Sequence, residues 1–358
     1  MRPPGGWRRF IAREWLAVLA LAGLVATSLS AGGLPTISTQ ELQVLFILMM
    51  LLIAVRGLEI SGLFTRLSGR IKRDRWIGPK LVVCTFFMAM AATNDAALIV
   101  MVPLTLTLEI GGLDRVVILE ALAANAGSAL TPFGNPQNLF IYWYYGIEPA
   151  HFIATMAPFS GVFLVVLVLA TLTIHTRGGR PLAPTPPAMD RAGYVFLGLL
   201  AVAILIVLHV LPVAAGLAIA AYAALFNRAS LRIDYGLLVT FLCFFGIAED
   251  LKLDFPPNST RHGDTFLVSA AASQFISNVP TALVIAKLTT HWKALLWGTN
   301  AGGFGSLIGS LANLIAYRLY LSRAGHGNAA RFTAKFLIFN FAALLISVGL
   351  YYVIGPGG

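Results

Sequence analysis

The chain carries one motif twice, at residues 125–142 and 300–317, and the two copies align without a gap. Seven aligned positions are identical: Asn125/Asn300, Ala126/Ala301, Gly127/Gly302, Gly134/Gly309, Asn138/Asn313, Leu139/Leu314 and Tyr142/Tyr317. Both copies place glycine and asparagine inside apolar segments, and the first adds proline. In a membrane chain, matched segments interrupted in this way indicate internal repeats that meet at a transporter binding site.

Composition places this repeat in a membrane protein. Of the 358 residues, 58% are hydrophobic and only 11% are charged, whereas a soluble domain carries about 25% charged residues. The net charge of +10 does not predict a nucleic-acid partner, because the basic residues lie in short loops between apolar segments. That pattern is typical of cytoplasmic loops beside a lipid bilayer. Cys84 and Cys243 lie within apolar segments and indicate no disulfide framework.

The apolar segments predict an all-α polytopic fold, since a helix needs about 20 apolar residues to cross a bilayer. Full spans are expected near 15–31, 42–60, 116–145, 151–175, 192–211, 212–227, 234–250, 294–322 and 334–354. The spans 116–145 and 294–322 contain the repeated motif, so both are predicted to be broken helices.

Two further apolar segments, 78–110 and 264–291, are each long enough for two short helices with a polar tip between them. The tips are Thr93-Asn94-Asp95 and Ser277-Asn278-Val279. We interpret both segments as re-entrant hairpins, because irregular backbone at membrane depth is tolerated only where it is buried in protein or lines a cavity.

The basic residues predict the orientation of this layout. With the N-terminus in the cytoplasm, inner segments hold twenty of the 25 lysines and arginines, as the positive-inside rule requires. The predicted domains are a cytoplasmic segment 1–14, a first repeat 15–175, a cytoplasmic linker plus connecting helix 176–211, and a second repeat 212–354. A single connecting span makes the second repeat inverted relative to the first, a common plan of secondary transporters.

The breaks predict where ligands bind. Asn135 before Pro136, and Ser310 at the aligned position, are good N-caps for returning half-helices. Asn94-Asp95 and Asn278 are predicted to cap the returning legs of the hairpins. Helix N-termini that converge at mid-membrane suit an anion, and unwound carbonyls suit a cation such as sodium.

Fifteen residues are therefore candidate substrate- or ion-binding residues: Thr93, Asn94, Asp95, Asn125, Thr131, Gly134, Asn135, Asn138, Ser277, Asn278, Asn300, Gly303, Ser306, Gly309 and Asn313. A possible sodium site comprises Asn94, Asp95, Thr131, Asn278 and Ser306. The glycines let backbone approach a ligand, although close helix packing is the alternative explanation.

Individual polar residues leave alternatives open. An intramembrane carboxylate such as Asp95 marks a functional site by default, as a proton or cation carrier, although it can also cap a helix. The hydroxyls of Thr131 and Ser306 can ligate an ion or bond back to their own helix. Glu120 can relay protons or lie at the inner interface. Lys287 is expected to snorkel towards the outer surface.

Four segments resemble the ion transporter superfamily: TNDAALIVMVPLTL, NAGSALTPFGNPQNL, SNVPTALVIAKL and NAGGFGSLIGSLANLIAY. That group includes the arsenical pump membrane protein, NhaD-type sodium–proton antiporters, citrate permeases and divalent-anion/sodium symporters. The resemblance extends from about residue 40 to the end of the chain and is strongest to small bacterial inner-membrane permeases. It implies a homodimer and an inner-membrane location.

The resemblance also implies which residues form the binding site. In the dicarboxylate symporters each hairpin tip resembles Ser-Asn-Thr and binds sodium and carboxylate. The matching positions here end in Asp95 and Val279, and the Asn-Asp pair is more like the arsenite-pump branch. A fixed negative charge there repels a dianion unless it is protonated or paired with a cation. Proton coupling, a neutral substrate such as arsenous acid, or a monovalent cation fits that charge better.

Three functional hypotheses follow. The first is an ion-coupled secondary transporter of a small anion or oxyanion that works by alternating access. The second is a sodium–proton antiporter. The third, a membrane-embedded enzyme, is disfavoured because the sequence contains no HExxH, GxSxG or aspartate-rich pair. No cofactor is predicted beyond a coupling ion, sodium or a proton.

Overall fold

The computed structural model describes residues 15–63, 66, 76–108, 110–174, 191–254, 262–324 and 329–356. The predicted cytoplasmic segment 1–14 and residues 176–190 of the predicted linker lie outside these ranges. The helices are α1 (Trp15–Ala31), α2 (Thr39–Ile60), α3 (Ile77–Ala91), α4 (Asn94–Leu106), α5 (Leu113–Ser128), α6 (Pro136–Tyr144), α7 (Pro149–Leu172), α8 (Arg191–Val207), α9 (Leu217–Phe226), α10 (Tyr235–Asp254), α11 (His262–Ile276), α12 (Asn278–Ala286), α13 (Trp292–Gly302), α14 (Leu311–Ala324) and α15 (Ala329–Val353).

The chain is an all-α polytopic membrane protein, which confirms the fold class predicted from its composition. Four helical stretches are long and apolar enough to cross a membrane: Thr39–Ile60, Pro149–Leu172, Arg228–Lys252 and Ala329–Val353. Many large apolar side chains on the described surface are exposed, such as Leu345 on α15 and Phe226 on α9. Lipid tails can cover such side chains.

Two helical hairpins lie where the polar tips predicted them. Hairpin 1 consists of α3 and α4, joined by Ala92 and Thr93. Hairpin 2 consists of α11 and α12, joined by Ser277 alone, whose φ of 73° lies in the left-handed region. The tips differ in length by one residue, and a single residue reverses the second hairpin only by adopting this unusual backbone conformation.

Two helices are broken at the repeated motif, as predicted. The first break separates α5 from α6 over residues 129–135, and the second separates α13 from α14 over residues 303–310. The half-helices restart at Pro136 and Leu311, which are aligned positions. The Asn135 side chain accepts from the Asn138 amide over 3.0 Å, and the Ser310 hydroxyl accepts from the Ala312 amide over 3.3 Å. Both predicted N-caps are therefore present.

The predicted caps of the hairpins are wrong by one residue. Thr93, rather than Asn94, caps α4 by accepting from the Ala96 amide over 3.2 Å. Helix α12 begins at Asn278, and Ser277 occupies its N-cap position without a side-chain cap bond. The asparagines therefore lie inside the first helical turn, where their side chains project towards the broken helices.

The predicted full span at 212–227 is also wrong. A 3₁₀ helix at Val213–Gly216 runs directly into α9, so the continuous helical stretch Val213–Phe226 has 14 residues. It rises about 23 Å, which is short of the roughly 30 Å hydrocarbon core of a bilayer. Asn227 ends α9 by leaving the helical region at ψ 72°, which a count of apolar residues does not reveal.

Each broken helix packs closely on the first leg of a hairpin, and glycine makes the approach possible. A Cβ on Gly127 would lie 2.2 Å from the Phe86 carbonyl oxygen, and a Cβ on Gly302 would lie 3.1 Å from the Ala270 carbonyl oxygen and 2.4 Å from Ser273 Cβ. Gly127 and Gly302 are aligned, so the two halves use the same packing device. At these two positions glycine serves helix packing.

Candidate functional site

Each hairpin tip is held by the break of its own half. The backbone amide of Asn94 donates to the carbonyl of Gly134 over 3.1 Å, and the amide of Asn278 donates to the carbonyl of Gly309 over 3.0 Å. Gly134 and Gly309 are aligned, and Asn94 and Asn278 occupy matching places in the two tips. The same bond therefore joins tip to break in both halves.

Buried asparagines link the two copies of the motif. Asn125 Nδ2 donates to Asn313 Oδ1 over 2.9 Å, and Asn300 Nδ2 donates to Asn138 Oδ1 over 2.8 Å. All four side chains are buried. Since Asn125 aligns with Asn300 and Asn138 with Asn313, each copy donates to the other in the same way.

Asn138 and Asn313, which accept these bonds through Oδ1, donate their amide hydrogens to carbonyls in the breaks. Asn138 Nδ2 lies 3.2–3.3 Å from the carbonyls of Ser128, Ala129 and Thr131. Asn313 Nδ2 lies 2.9 and 3.1 Å from those of Gly303 and Ser306. Unwound backbone at membrane depth needs internal partners, and these amides supply them. Carbonyls predicted to face a cation are thus already partnered.

The N-caps of the returning half-helices join the same network. Asn135 Nδ2 donates to Asn300 Oδ1 over 3.3 Å, and the Ser310 hydroxyl donates to Asn125 Oδ1 over 3.1 Å. Asn94 Nδ2 also reaches Asn125 Oδ1, at 3.3 Å. Asn125 therefore connects the tip of hairpin 1 with the break of the second half.

Thr131 and Ser306 tie the breaks to the hairpins. The Thr131 hydroxyl donates to the Met90 carbonyl over 2.9 Å, and the Ser306 hydroxyl donates to the Gln274 carbonyl over 2.9 Å. The alternative of a back-bond to their own helices is wrong. Each oxygen keeps lone pairs, and an ion-ligating role for these hydroxyls stays a prediction.

A cavity of about 200 Å³ reaches the tip of hairpin 1. Thr93 and Asp95 line it at the start of α4, Pro136 at the start of α6 and Leu311 at the start of α14. Three helix N-termini therefore meet one cavity. Besides Asp95, the charged residues that line it are Arg56, Glu59, Arg232 and Asp234.

Asp95 gives this cavity a carboxylate with one unpartnered oxygen. The residue is half-buried, yet its Oδ1 is buried and has no hydrogen-bond partner within the described part of the chain. Val279 occupies the matching place in hairpin 2. The two halves of the site are therefore chemically different, with the negative charge on one side.

A smaller cavity of about 90 Å³ reaches the tip of hairpin 2 at Ser277. It shares Asp234, Leu237 and Leu311 with the larger cavity, and Arg318 also lines it. Both tips are thus approached from the end of the protein at which α10 begins. Under the predicted orientation this end is cytoplasmic.

The remaining predicted residue, Gly303, lies between the halves. A Cβ there would lie 3.0 Å from Asn278 Nδ2 and 3.8 Å from Asn125 Oδ1. The structure brings together all fifteen residues predicted for the site, at the junction of two hairpin tips with two breaks. Whether each one binds a ligand stays a prediction.

Gln274 belongs to this junction but was not predicted from the sequence. Its Nε2 donates to the carbonyls of Gly302 and Phe304 over 3.0 and 3.1 Å, and its Oε1 accepts from the Ser306 amide over 2.7 Å. The first half has Met90 at this place. The sequence feature that could have identified Gln274 is that it is an amide side chain within an apolar hairpin leg, close to the tip.

Two charged residues lie away from the junction. Glu120 on α5 is fully buried; its Oε1 accepts from the Thr105 hydroxyl over 2.7 Å and lies 3.4 Å from the Thr85 hydroxyl. Its role as a proton relay and its position relative to the inner interface stay predictions. Lys287 does not snorkel. It is 5% exposed, and its Nζ lies 2.7 Å from Glu41 and 2.9 Å from Glu249.

Comparison with known proteins identifies the class. The chain shares 34% identity over 330 residues with the inner membrane protein YbiR of Escherichia coli, covering 85% of each chain. It shares 33% identity over 294 residues with the uncharacterized transporter MJ0456 of Methanocaldococcus jannaschii, covering 78% of this chain and 81% of the relative. Fold, junction and relatives define a membrane transporter.

The family is also defined. A model described as citrate transporter, CitMHS, matches residues 7–298, so the chain belongs to the CitMHS citrate transporter family. This family lies within the group that the four sequence segments resemble, and the resemblance is confirmed.

Proposed function

We propose that the chain is an ion-coupled secondary transporter that moves a small anion or oxyanion across the inner membrane by alternating access. The observation that carries the proposal is the larger cavity, in which the starts of α4, α6 and α14 meet the Asp95 carboxylate. The site therefore offers complementary groups for an anion and for a cation.

The helix N-termini supply the groups that would bind an anion. Backbone N–H groups in the first turn lack intrahelical acceptors, and each helix start carries about half a positive charge. Three such helix starts line the larger cavity, at Thr93, Pro136 and Leu311. The side chains of Arg56 and Arg232 line it as well. An oxyanion or carboxylate fits these donors, and the family description makes citrate one candidate.

Asp95 supplies the group that would bind a cation. An ionised carboxylate at membrane depth is costly, and electrostatic repulsion from a bound anion adds to that cost. A proton or sodium ion bound with the substrate removes that repulsion. Substrate binding then depends on the cation, which is the thermodynamic basis of symport: each ligand raises the affinity for the other.

Alternating access follows from the two halves. Both tips are approached from one end of the molecule, and tip–break bonds recur at matching positions. We propose that the halves are inverted repeats whose exchange of conformation opens the site to the other side. The N-terminus then lies in the cytoplasm, and the cavities face inwards.

The test is thermal stabilisation of the purified protein by a ligand panel. Sodium, lithium, arsenite, antimonite, citrate, succinate, sulfate and phosphate are each added at two pH values. A ligand that binds the folded state raises the melting temperature by mass action. We expect one oxyanion or carboxylate to do so, more strongly with sodium or at the lower pH.

Variants assign the effect to the site. Asn94→Ala and Asn278→Ala should lose the stabilisation, whereas Asn227→Ala, at the end of α9 and outside the lining of both cavities, should keep it. A melting temperature that no member of the panel changes contradicts the proposal.

A sodium–proton antiporter is the second candidate. Three carboxylates line the larger cavity, Glu59, Asp95 and Asp234, and a cation can be their sole cargo. Stabilisation by sodium or lithium alone, with no response to any anion, would replace the first proposal by this one.

A further inference from the structure

Glu120 occupies a polar site that is separate from the cavity of Asp95. Its side chain projects from α5 between the two legs of hairpin 1 and is fully buried. The hydroxyl of Thr105 on α4 donates to its Oε1 over 2.7 Å. The hydroxyl of Thr85 on α3 lies 3.4 Å from Oε1, but its single proton is closer to the Leu81 carbonyl, at 2.8 Å. Oε2 is buried and has no hydrogen-bond partner among the described residues.

The surroundings of Glu120 contain little to compensate a negative charge. The helices packed most extensively against α5 are α3, α4, α7, α14 and α15. On α3 the Cys84 thiol precedes Thr85 directly, and Lys80 lies four residues before Cys84. The titratable residue of α4 is Asp95, at the opposite end from Thr105, and that of α7 is His151, at its exposed start.

Within the described part of the chain, no basic residue of α14 or α15 forms an ion pair with Glu120. The basic residues of these two helices are Arg318, Arg323, Arg331 and Lys335. Lys335 forms an ion pair with Asp114, which precedes Glu120 by about 9 Å along α5. An ionised carboxylate buried without a counter-charge is strongly disfavoured.

We propose that Glu120 is a proton-binding site in which Oε2 carries the proton. The Thr105 hydroxyl donates to Oε1, so Oε2, which has no partner in the described structure, is the oxygen that takes up the proton. The neutral acid matches surroundings in which no basic side chain of the described residues pairs with it. Release of the proton leaves a carboxylate between the legs of hairpin 1. Water must then enter or the legs must separate, because the charge needs solvation.

Proton occupancy at Glu120 therefore controls how closely hairpin 1 packs against α5. The second half has Leu295 at the aligned position, so this control acts on hairpin 1 alone. Only one part of this proposal rests on the proposed function, namely that the proton on Glu120 is a coupling ion. Protonation of Glu120 itself requires no transport.

Infrared spectroscopy tests the protonation without any substrate. The purified wild type at neutral pH should show a carboxylic-acid C=O band, part of which disappears in Glu120→Gln. Glu148→Gln, which changes an exposed glutamate, should leave the band intact, and Asp95→Asn separates the contribution of Asp95. An unchanged band in Glu120→Gln would overturn the proposal, whatever the protein transports.

Two further measurements are needed. The first tests the proposal if Glu120→Gln fails to insert, and the second tests the effect of the proton on hairpin 1. Thr105→Val keeps the acid but removes its stronger donor, so the band should move to higher frequency; an unmoved band also overturns the proposal. In hydrogen exchange at alkaline pH, the amides of α3 and α4 should exchange several-fold faster in the wild type than in Glu120→Gln. Equal rates would show that the proton does not control the hairpin.

Discussion

Asn125 and Asn313 lie in different copies of the repeated motif, and their side chains share a hydrogen bond of 2.9 Å. The reciprocal bond from Asn300 to Asn138 measures 2.8 Å. A buried amide that loses its partner retains its full desolvation cost. The two broken helices are thus joined into one polar unit, and any ligand at the junction meets residues from both halves.

The hydrogen bond between Asn125 and Asn313 should be measurable as a coupling energy between substitutions of the two residues. Asn125→Ala and Asn313→Ala each leave a buried amide or carbonyl unsatisfied, and each should lower the free energy of unfolding by about 1–3 kcal/mol. In the double variant the losses should not add, with a coupling energy of about 0.5–3 kcal/mol. Reversible unfolding of the detergent-solubilised protein measures both. Additive losses would show that the bond contributes nothing of its own.

Gly134 and Gly309 should tolerate alanine unequally. A Cβ on Gly134 would lie 2.2 Å from the Ser128 carbonyl oxygen, whereas one on Gly309 would lie 2.7 Å from the Gly302 carbonyl oxygen. Backbone atoms cannot move aside as a side-chain end can. Both glycine carbonyls hold a hairpin tip, so a shifted break also displaces the binding site.

We therefore expect Gly134→Ala to lower the melting temperature and ligand affinity more than Gly309→Ala. Gly161→Ala on α7 is the matched control, because nothing lies within 4 Å of its added Cβ and alanine is the better helix former. Valine at either break should abolish ligand binding. If Gly134→Ala resembles the Gly161 control in both measurements, close approach at the break is not required.

Local signals predicted much of this fold. The restart of α6 at Pro136 depends on an N-cap and a proline that are adjacent in sequence, and the alignment of the copies carried the same start to Leu311. The hairpins were predictable because polar tips stand out in apolar segments. In each case a few neighbouring residues determine the backbone.

Pairings between distant residues were not predictable. The motif placed Asn125 and Asn313 in the site, but nothing in either copy shows that they bond to each other. Lys287 was expected to snorkel because its partners Glu41 and Glu249 are distant in sequence. The backbone conformations of Ser277 and Asn227 likewise depend on tertiary contacts, since neither residue type requires them.

Removal of the Asp95 charge should uncouple transport. Asp95→Asn keeps the size of the side chain but can neither bind a proton nor pair with sodium, so uptake into proteoliposomes should lose its dependence on pH and sodium. The protein should still insert and fold, because Oδ1 of Asp95 has no hydrogen-bond partner in the described structure to lose. Asp264→Asn makes the same change at an exposed position and should transport normally. Normal cation dependence in Asp95→Asn would remove Asp95 from the mechanism.

Lys287 should stabilise the protein through two carboxylates. It joins the end of α12 to Glu41 at the start of α2 and Glu249 near the end of α10. Glu41 is 2% exposed, so Lys287→Met leaves a buried charge without its partner. The expected loss in the free energy of unfolding is about 3–5 kcal/mol. Lys293→Met, at an exposed position on the next helix, should change the stability little.

Neutralisation of the partner should reverse most of this loss. Glu41→Gln in the Lys287→Met background removes the unpaired charge while retaining an amide near Ser38, which donates to the Glu41 carboxylate in the wild type. A well-packed apolar replacement of a buried ion pair is often neutral or stabilising, so the double variant should melt close to the wild type. If Lys287→Met alone melts like Lys293→Met, the ammonium does not compensate the buried carboxylate. If the single variant is destabilised but the double is not rescued, Lys287 acts through packing of its aliphatic chain rather than through its charge.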